Sequence, residues 1–156
     1  MRVRGVLPIV TLAIATGACA TSPPADTAAG EPSAAAPGGT FTGTFAPLGG
    51  PLTGTIRLDP RDATSISARI TLRFAPSNEE LPWDLAEGRC GSENRPLAFG
   101  ATYRPIPTRS DGTADMVATV EVTLAGGGSY HARLYLTRQA VIRQEPIACA
   151  ELAETG

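Results

Sequence analysis

The chain has 156 residues, with 13 basic and 15 acidic side chains and a formal net charge of −2. Every basic residue is Arg, and the arginines are scattered along the sequence. Neither the clustered basic face that nucleic-acid binding needs nor a polybasic membrane patch is present.

The N-terminus reads as an export signal. Arg2 and Arg4 precede an uncharged apolar run containing Val6, Leu7, Ile9, Val10, Leu12 and Ile14. Pro8, Pro23 and Pro24 dilute the run, whereas a membrane span needs about 20 predominantly apolar residues, so no transmembrane helix is expected. The run ends Ala15-Thr16-Gly17-Ala18-Cys19, which resembles the bacterial lipobox with Thr16 where Leu is preferred. That resemblance implies lipidation of Cys19 and an N-terminal lipid anchor. Ala18 and Ala20 also form a small-x-small site for ordinary cleavage after Ala20.

Residues 20–39 are Ala, Pro, Ser, Thr and Gly with two acids, and they offer no branched aliphatic or aromatic side chain to bury. Ordering such a segment goes uncompensated, so it reads as a disordered tether that would hold a domain about 25 Å from its anchor. The expected organisation is a signal at 1–19, a tether at 20–39 and one folded domain at 40–156.

Within the domain the hydrophobic period is two. Phe41 and Phe45 share a face in a weak strand from Thr40 to Ala46. Leu52, Ile56 and Leu58 alternate with Thr53, Thr55 and Arg57. Ile66, Ala68, Ile70, Leu72 and Phe74 alternate with Ser67, Arg69, Thr71 and Arg73, which places one face in a core and the other in water. Further weak strands are expected at Leu97 to Tyr103 and Ala140 to Arg143. Met116, Ala118, Val120, Val122 and Leu124 alternate again, as do Tyr130, Ala132, Leu134 and Leu136 against His131, Arg133, Tyr135 and Thr137. The last strand runs from Ile147 to Leu152. Turn signals stand at Gly49-Gly50-Pro51, Asp59-Pro60, Asp111-Gly112 and Gly126-Gly127-Gly128. No helical stripe of useful length occurs. Seven or eight short strands at this spacing predict an all-β, antiparallel Greek-key sandwich or barrel.

Of the three cysteines, either fate of the N-terminus removes Cys19 as a free thiol, leaving Cys90 and Cys149 as an even pair. An oxidising compartment would bridge them, closing a loop of about 60 residues worth roughly 4 kcal/mol in the chain-entropy model. The alternative is two buried, unpaired thiols.

Candidate reactive groups are sparse. His131 is the single histidine and falls on the polar face of its strand beside Arg133, where a solvated imidazole is expected. Asp84, Glu87 and Glu93 read as solubilising loop carboxylates around Cys90, pairing with Arg89 or Arg95. Calcium loops use an Asp-x-Asp spacing that is absent. Nucleophile elbows, phosphate loops and dinucleotide fingerprints are absent too. Trp83 reads as a cover for a barrel end, with ligand stacking as the other possibility.

Four segments together resemble the copper/zinc superoxide dismutase family, over roughly Leu52 to Leu152. Gly50-Pro51-Leu52-Thr53-Gly54 resembles its Gly-Pro-Val-x-Gly opening hairpin. Asp84-Leu85-Ala86-Glu87-Gly88, followed by Cys90, is similar to its His-x-His-Glu-Gly segment and first disulfide cysteine, with both histidines replaced. Asp111-Gly112-Thr113-Ala114-Asp115 resembles its Asp-Gly-x-Ala-Asp turn, and Ile147-Ala148-Cys149-Ala150 its Leu-Ala-Cys-Gly segment.

The resemblance implies a Greek-key β-sandwich and a Cys90–Cys149 bridge. In the family copper is held by four imidazoles, one shared with zinc. Here the ligand positions fall on Asp84, Ala86 and, late in the chain, near Tyr135, and the family's guiding arginine falls near Pro146, with Arg143 three residues away. Metal and cofactor are therefore expected to be absent, since neither ligand number nor ligand type is available. The sequence predicts an exported, lipid-anchored, non-catalytic module at the outer membrane or periplasmic face, with no nucleic-acid partner. The alternative is a residual metalloprotein or enzyme around Asp84, Glu87 and His131, and a small-molecule carrier would need a cavity.

Overall fold

A computed structural model describes residues 39–155. The segments expected to be a signal (1–19, with Cys19) and a tether (as far as residue 38) lie outside the described residues. Among the described residues nine strands form, β1 Thr40–Pro47, β2 Thr53–Pro60, β3 Ile66–Arg73, β4 Glu80–Leu81, β5 Trp83–Glu87, β6 Ile106–Pro107, β7 Ala114–Val120, β8 Tyr130–Leu134 and β9 Ala148–Thr155, with one short α-helix, α1 Arg138–Arg143. Seven strands make one antiparallel sheet in the order β5-β8-β9-β1-β2-β3-β7, curled into a half-barrel, and β4 and β6 pair separately. β1 to β3 are successive hairpins, whereas β9 returns beside β1 and β7 beside β3 after long excursions, which gives the Greek-key order.

The period-two pattern explains the inner layer. Phe41, Phe45, Ile56, Leu58, Ile70 and Leu72 are each at most 2% exposed, and they meet Leu85, Ala132, Leu134 and Ala150 from the other end of the sheet. Each such burial stabilises the fold by about 1.5–3 kcal/mol relative to exposure. The turn at Asp111-Gly112 also forms as its residues require. Asp111 Oδ1 accepts from Thr113 N at 3.0 Å and from Thr113 Oγ1 at 2.7 Å. Gly112 has φ 73°, and a Cβ there would stand 2.7 Å from the Ala75 carbonyl oxygen, so only glycine fits.

Three sequence expectations are corrected. Phe74 does not continue the core face of β3: it takes φ 56° and is 65% exposed, because the strand ends at Arg73 and the chain turns so that Ala75 N can donate to the Gly112 carbonyl at 2.9 Å. Leu97 to Tyr103 is not a strand. Pro96 makes one isolated bridge to Ala86, Leu97 N donates to Leu85 O at 2.8 Å, and the segment then turns through a 3₁₀ helix at Gly100–Thr102. Ala140 to Arg143 is helical, as the end of α1. Thr137 Oγ1 accepts from Ala140 N at 3.2 Å at the start, and Gln144 closes the end with φ 54°, so the two caps outweigh the strand preference of Val141 and Ile142.

Candidate functional site

The outer face of β5, β8 and β9 is where the structure departs most from a solvated strand surface. Register places Asp84 opposite Arg133 and Ala86 opposite His131, and on the other side Arg133 opposite Cys149. All five residues of β8 are buried, because the segment after β5 and the segment carrying α1 cover the face that alternation assigns to water.

Three side chains close the centre of this face. Arg133 Nε donates to Asp84 Oδ1 at 2.8 Å and Arg133 Nη2 to Oδ2 at 3.0 Å, a bidentate pair with side chains only 4% and 2% exposed. Tyr135 Oη donates to Asp84 Oδ2 at 3.1 Å, and the guanidinium carbon lies 5.8 Å from the centre of the Tyr135 ring. The buried carboxylate thus has both oxygens engaged, and its charge is offset by an adjacent cation. Burial, reinforced by the Asp84 charge, pushes the Tyr135 hydroxyl far above the ordinary phenol value, so it stays a donor. Asp84 is therefore not the loop solubiliser the sequence suggests. Glu87 and Glu93 are exposed, and neither pairs with Arg89 or Arg95 among the described residues.

His131 is likewise corrected, from a solvated imidazole to one that is 0% exposed. Its Nδ1 lies 3.1 Å from the Gly88 carbonyl oxygen, an acceptor, so Nδ1 carries the proton and Nε2 is the bare nitrogen. Nε2 has no hydrogen-bond partner among the described residues. Desolvation holds the imidazole below its ordinary value, partly opposed by the Gly88 carbonyl.

Cys90 and Cys149 form the disulfide, with Cα atoms 6.0 Å apart, tying the loop after β5 to β9 beside Arg133. A groove of about 580 Å³ runs past it, lined by Glu93, Arg133, Ile142, Arg143 and both cysteines. On the other side of the ion pair lies a second groove of about 540 Å³, walled by Pro82, Pro96, Pro105, Val141 and Ile142, with Trp83, Asp84 and Tyr103 in its floor. Trp83 is 2% exposed, packs edge-on to Tyr103 at 5.0 Å between ring centres, and donates from Nε1 to the Arg104 carbonyl at 2.8 Å.

A copper or zinc ion does not fit this donor set. Among the described residues no three His, Cys, Asp or Glu side chains stand where they could hold a metal. Asp84 is already bidentate to a guanidinium, which would repel a cation placed beside it, and Nε2 of His131 is one ligand atom alone. Among the described residues no helix is long and apolar enough to cross a membrane. From the sequence, Arg133 has no role, Tyr135 is marked only as lying near a lost copper-ligand position, and a strand is expected where the end of α1 stands. The signal available was that three large hydrogen-bonding side chains, His131, Arg133 and Tyr135, share one strand face where a solvated strand usually carries Ser, Thr or Glu. Compared with known proteins, the chain matches no family model and none of the curated sequences.

Proposed function

We propose that this chain is an exported, lipid-anchored module of the cell envelope that uses a superoxide-dismutase-like scaffold without its metals and works by binding rather than by catalysis. One observation carries the reading: two positions that the resemblance aligns with copper ligands, Asp84 and Tyr135, touch each other at 3.1 Å and are locked to Arg133. A guanidinium thus supplies the positive charge beside Asp84. The Cys90–Cys149 bridge, joining the two segments that resemble the family's disulfide segments, supports the same scaffold.

The catalytic half is tested by loading the purified protein with copper and zinc and assaying superoxide dismutation. Activity no higher than that of the buffer is expected, and stoichiometric bound copper with dismutase activity would overturn the reading. The anchor is tested with labelled palmitate, which should label the wild-type chain and not Cys19→Ser. An intact mass beginning at Thr21 would contradict the anchor. Ala20 occupies the position where Asp signals inner-membrane retention in lipoproteins, so the outer membrane is the expected address.

A further inference from the structure

We infer that the groove between α1 and the Pro96–Pro105 segment is a binding site for a small aromatic carboxylate. The inference rests on the binding reading above and names the ligand class of that same face. It starts from an imbalance. The groove wall is apolar, built from Pro82, Pro96, Pro105, Val141 and Ile142, while two arginines, Arg104 and Arg138, stand at its edge. Neither arginine takes part in a salt bridge or a side-chain hydrogen bond among the described residues, and both are exposed. The single acid in the lining is Asp84, whose two oxygens are taken by Arg133 and Tyr135, so it has no free charge to set against the rim. A site with an apolar wall and two uncommitted cations complements a ligand that is apolar at one end and anionic at the other.

Shape narrows the class. About 540 Å³ lies within the range of small-molecule sites, roughly 300–1,000 Å³. Prolines and the side-chain-free Gly100 give flat surfaces, and a guanidinium both stacks on an aromatic face and pairs with a carboxylate in its own plane. The position of Ile142 points the same way. Helix α1 buries none of its residues, and Ile142 is 75% exposed on the groove edge although α1 is capped at both ends. A ligand in the groove would cover it.

The test is calorimetric titration of the purified exported protein with 2-naphthoate, its neutral amide and decanoate. One saturable site is expected, with naphthoate bound about tenfold tighter than the amide, the scale of two exposed charge contacts. Arg104→Ala/Arg138→Ala should bring naphthoate down to the affinity of the amide and leave the amide unchanged. Ile142→Glu should abolish binding of both. These three residues are exposed, and an unchanged melting temperature in each variant confirms that the fold is kept. No saturable binding, equal affinity for acid and amide, tighter binding of decanoate, or insensitivity to both variants would each overturn the assignment. Copper uptake with activity would instead defeat the non-catalytic reading, whatever the titration shows.

Discussion

Asp84 and Arg133 face each other across the β5–β8 ladder as a two-bond ion pair, at 2.8 and 3.0 Å, with both side chains withdrawn from water. Removing one partner leaves an uncompensated buried charge. Asp84→Leu and Arg133→Met are each expected to destabilise the fold by about 3–5 kcal/mol, and the double variant Asp84→Leu/Arg133→Met by clearly less than the sum of the single changes. Urea unfolding of the cycle checks this, and additive losses would show that the two groups do not act as a pair. Tyr135→Phe should cost about 1 kcal/mol, the net value of one hydrogen bond, or somewhat more because the acceptor is charged.

Cys90 and Cys149 act as one unit although 59 positions separate them. Either single Cys→Ala change should cost about 2–5 kcal/mol and lower the melting temperature markedly, while the double change adds little. Small, additive effects in the single variants would contradict this.

His131 should make stability depend on pH in a defined window. Burial lowers its folded value, with Arg133 adding to the depression and the Gly88 carbonyl, Asp84 and Glu151 opposing it. The unfolded chain therefore takes up the proton first. Stability is complete above about pH 6.5 and declines as the pH falls below that, by at most about 1.4 kcal/mol per pH unit from this one group. Asp62, held at about 2 by hydrogen bonds from Ser65 and Thr64, keeps its contribution through this window and loses it only as the pH falls from 3.8 toward 2. In His131→Gln the decline between about pH 6.5 and 5 should be absent. Equal slopes in the two proteins would show that the imidazole is not the titrating group.

Tyr103 carries a buried hydroxyl with no hydrogen-bond partner among the described residues, and burial pushes its pKa up to about 12. The backbone groups of Leu85 and Ala98 lie near the hydroxyl without meeting it in hydrogen-bonding geometry, so removing it relieves its desolvation. Tyr103→Phe should therefore be neutral or stabilise by up to about 1 kcal/mol, measured by thermal melting, with the edge contact to Trp83 kept. A loss of stability would reveal a partner for the hydroxyl.

The inner layer of the half-barrel was legible in the sequence because one physical rule governs it. Ile66 to Leu72 and Met116 to Val120 alternate, and their apolar members are buried as alternation requires. The outer face of β8 was not legible, since alternation reports only which residues could face water. Coverage by two distant segments turned His131, Arg133 and the facing Asp84 from solvated groups into buried ones. Helix α1 was missed for a local reason, as six residues are too few to show a helical stripe. Its boundaries rest instead on Thr137 and on the left-handed Gln144. Phe74 failed where an alternating run met a backbone reversal that hydrophobicity does not report.

Central to the proposed function is the closure of Asp84, Arg133 and Tyr135 on one another, which leaves Asp84 no free oxygen for a metal ion. Its most direct test is the native mass of the mature protein after incubation with excess copper and zinc and removal of free ions. The account predicts no mass added beyond that of the disulfide-bonded, lipid-modified chain before incubation, and the same result for Arg133→Met, whose remaining donors are still too few. One equivalent of copper or zinc retained by the wild-type chain and lost in Asp84→Asn would contradict it.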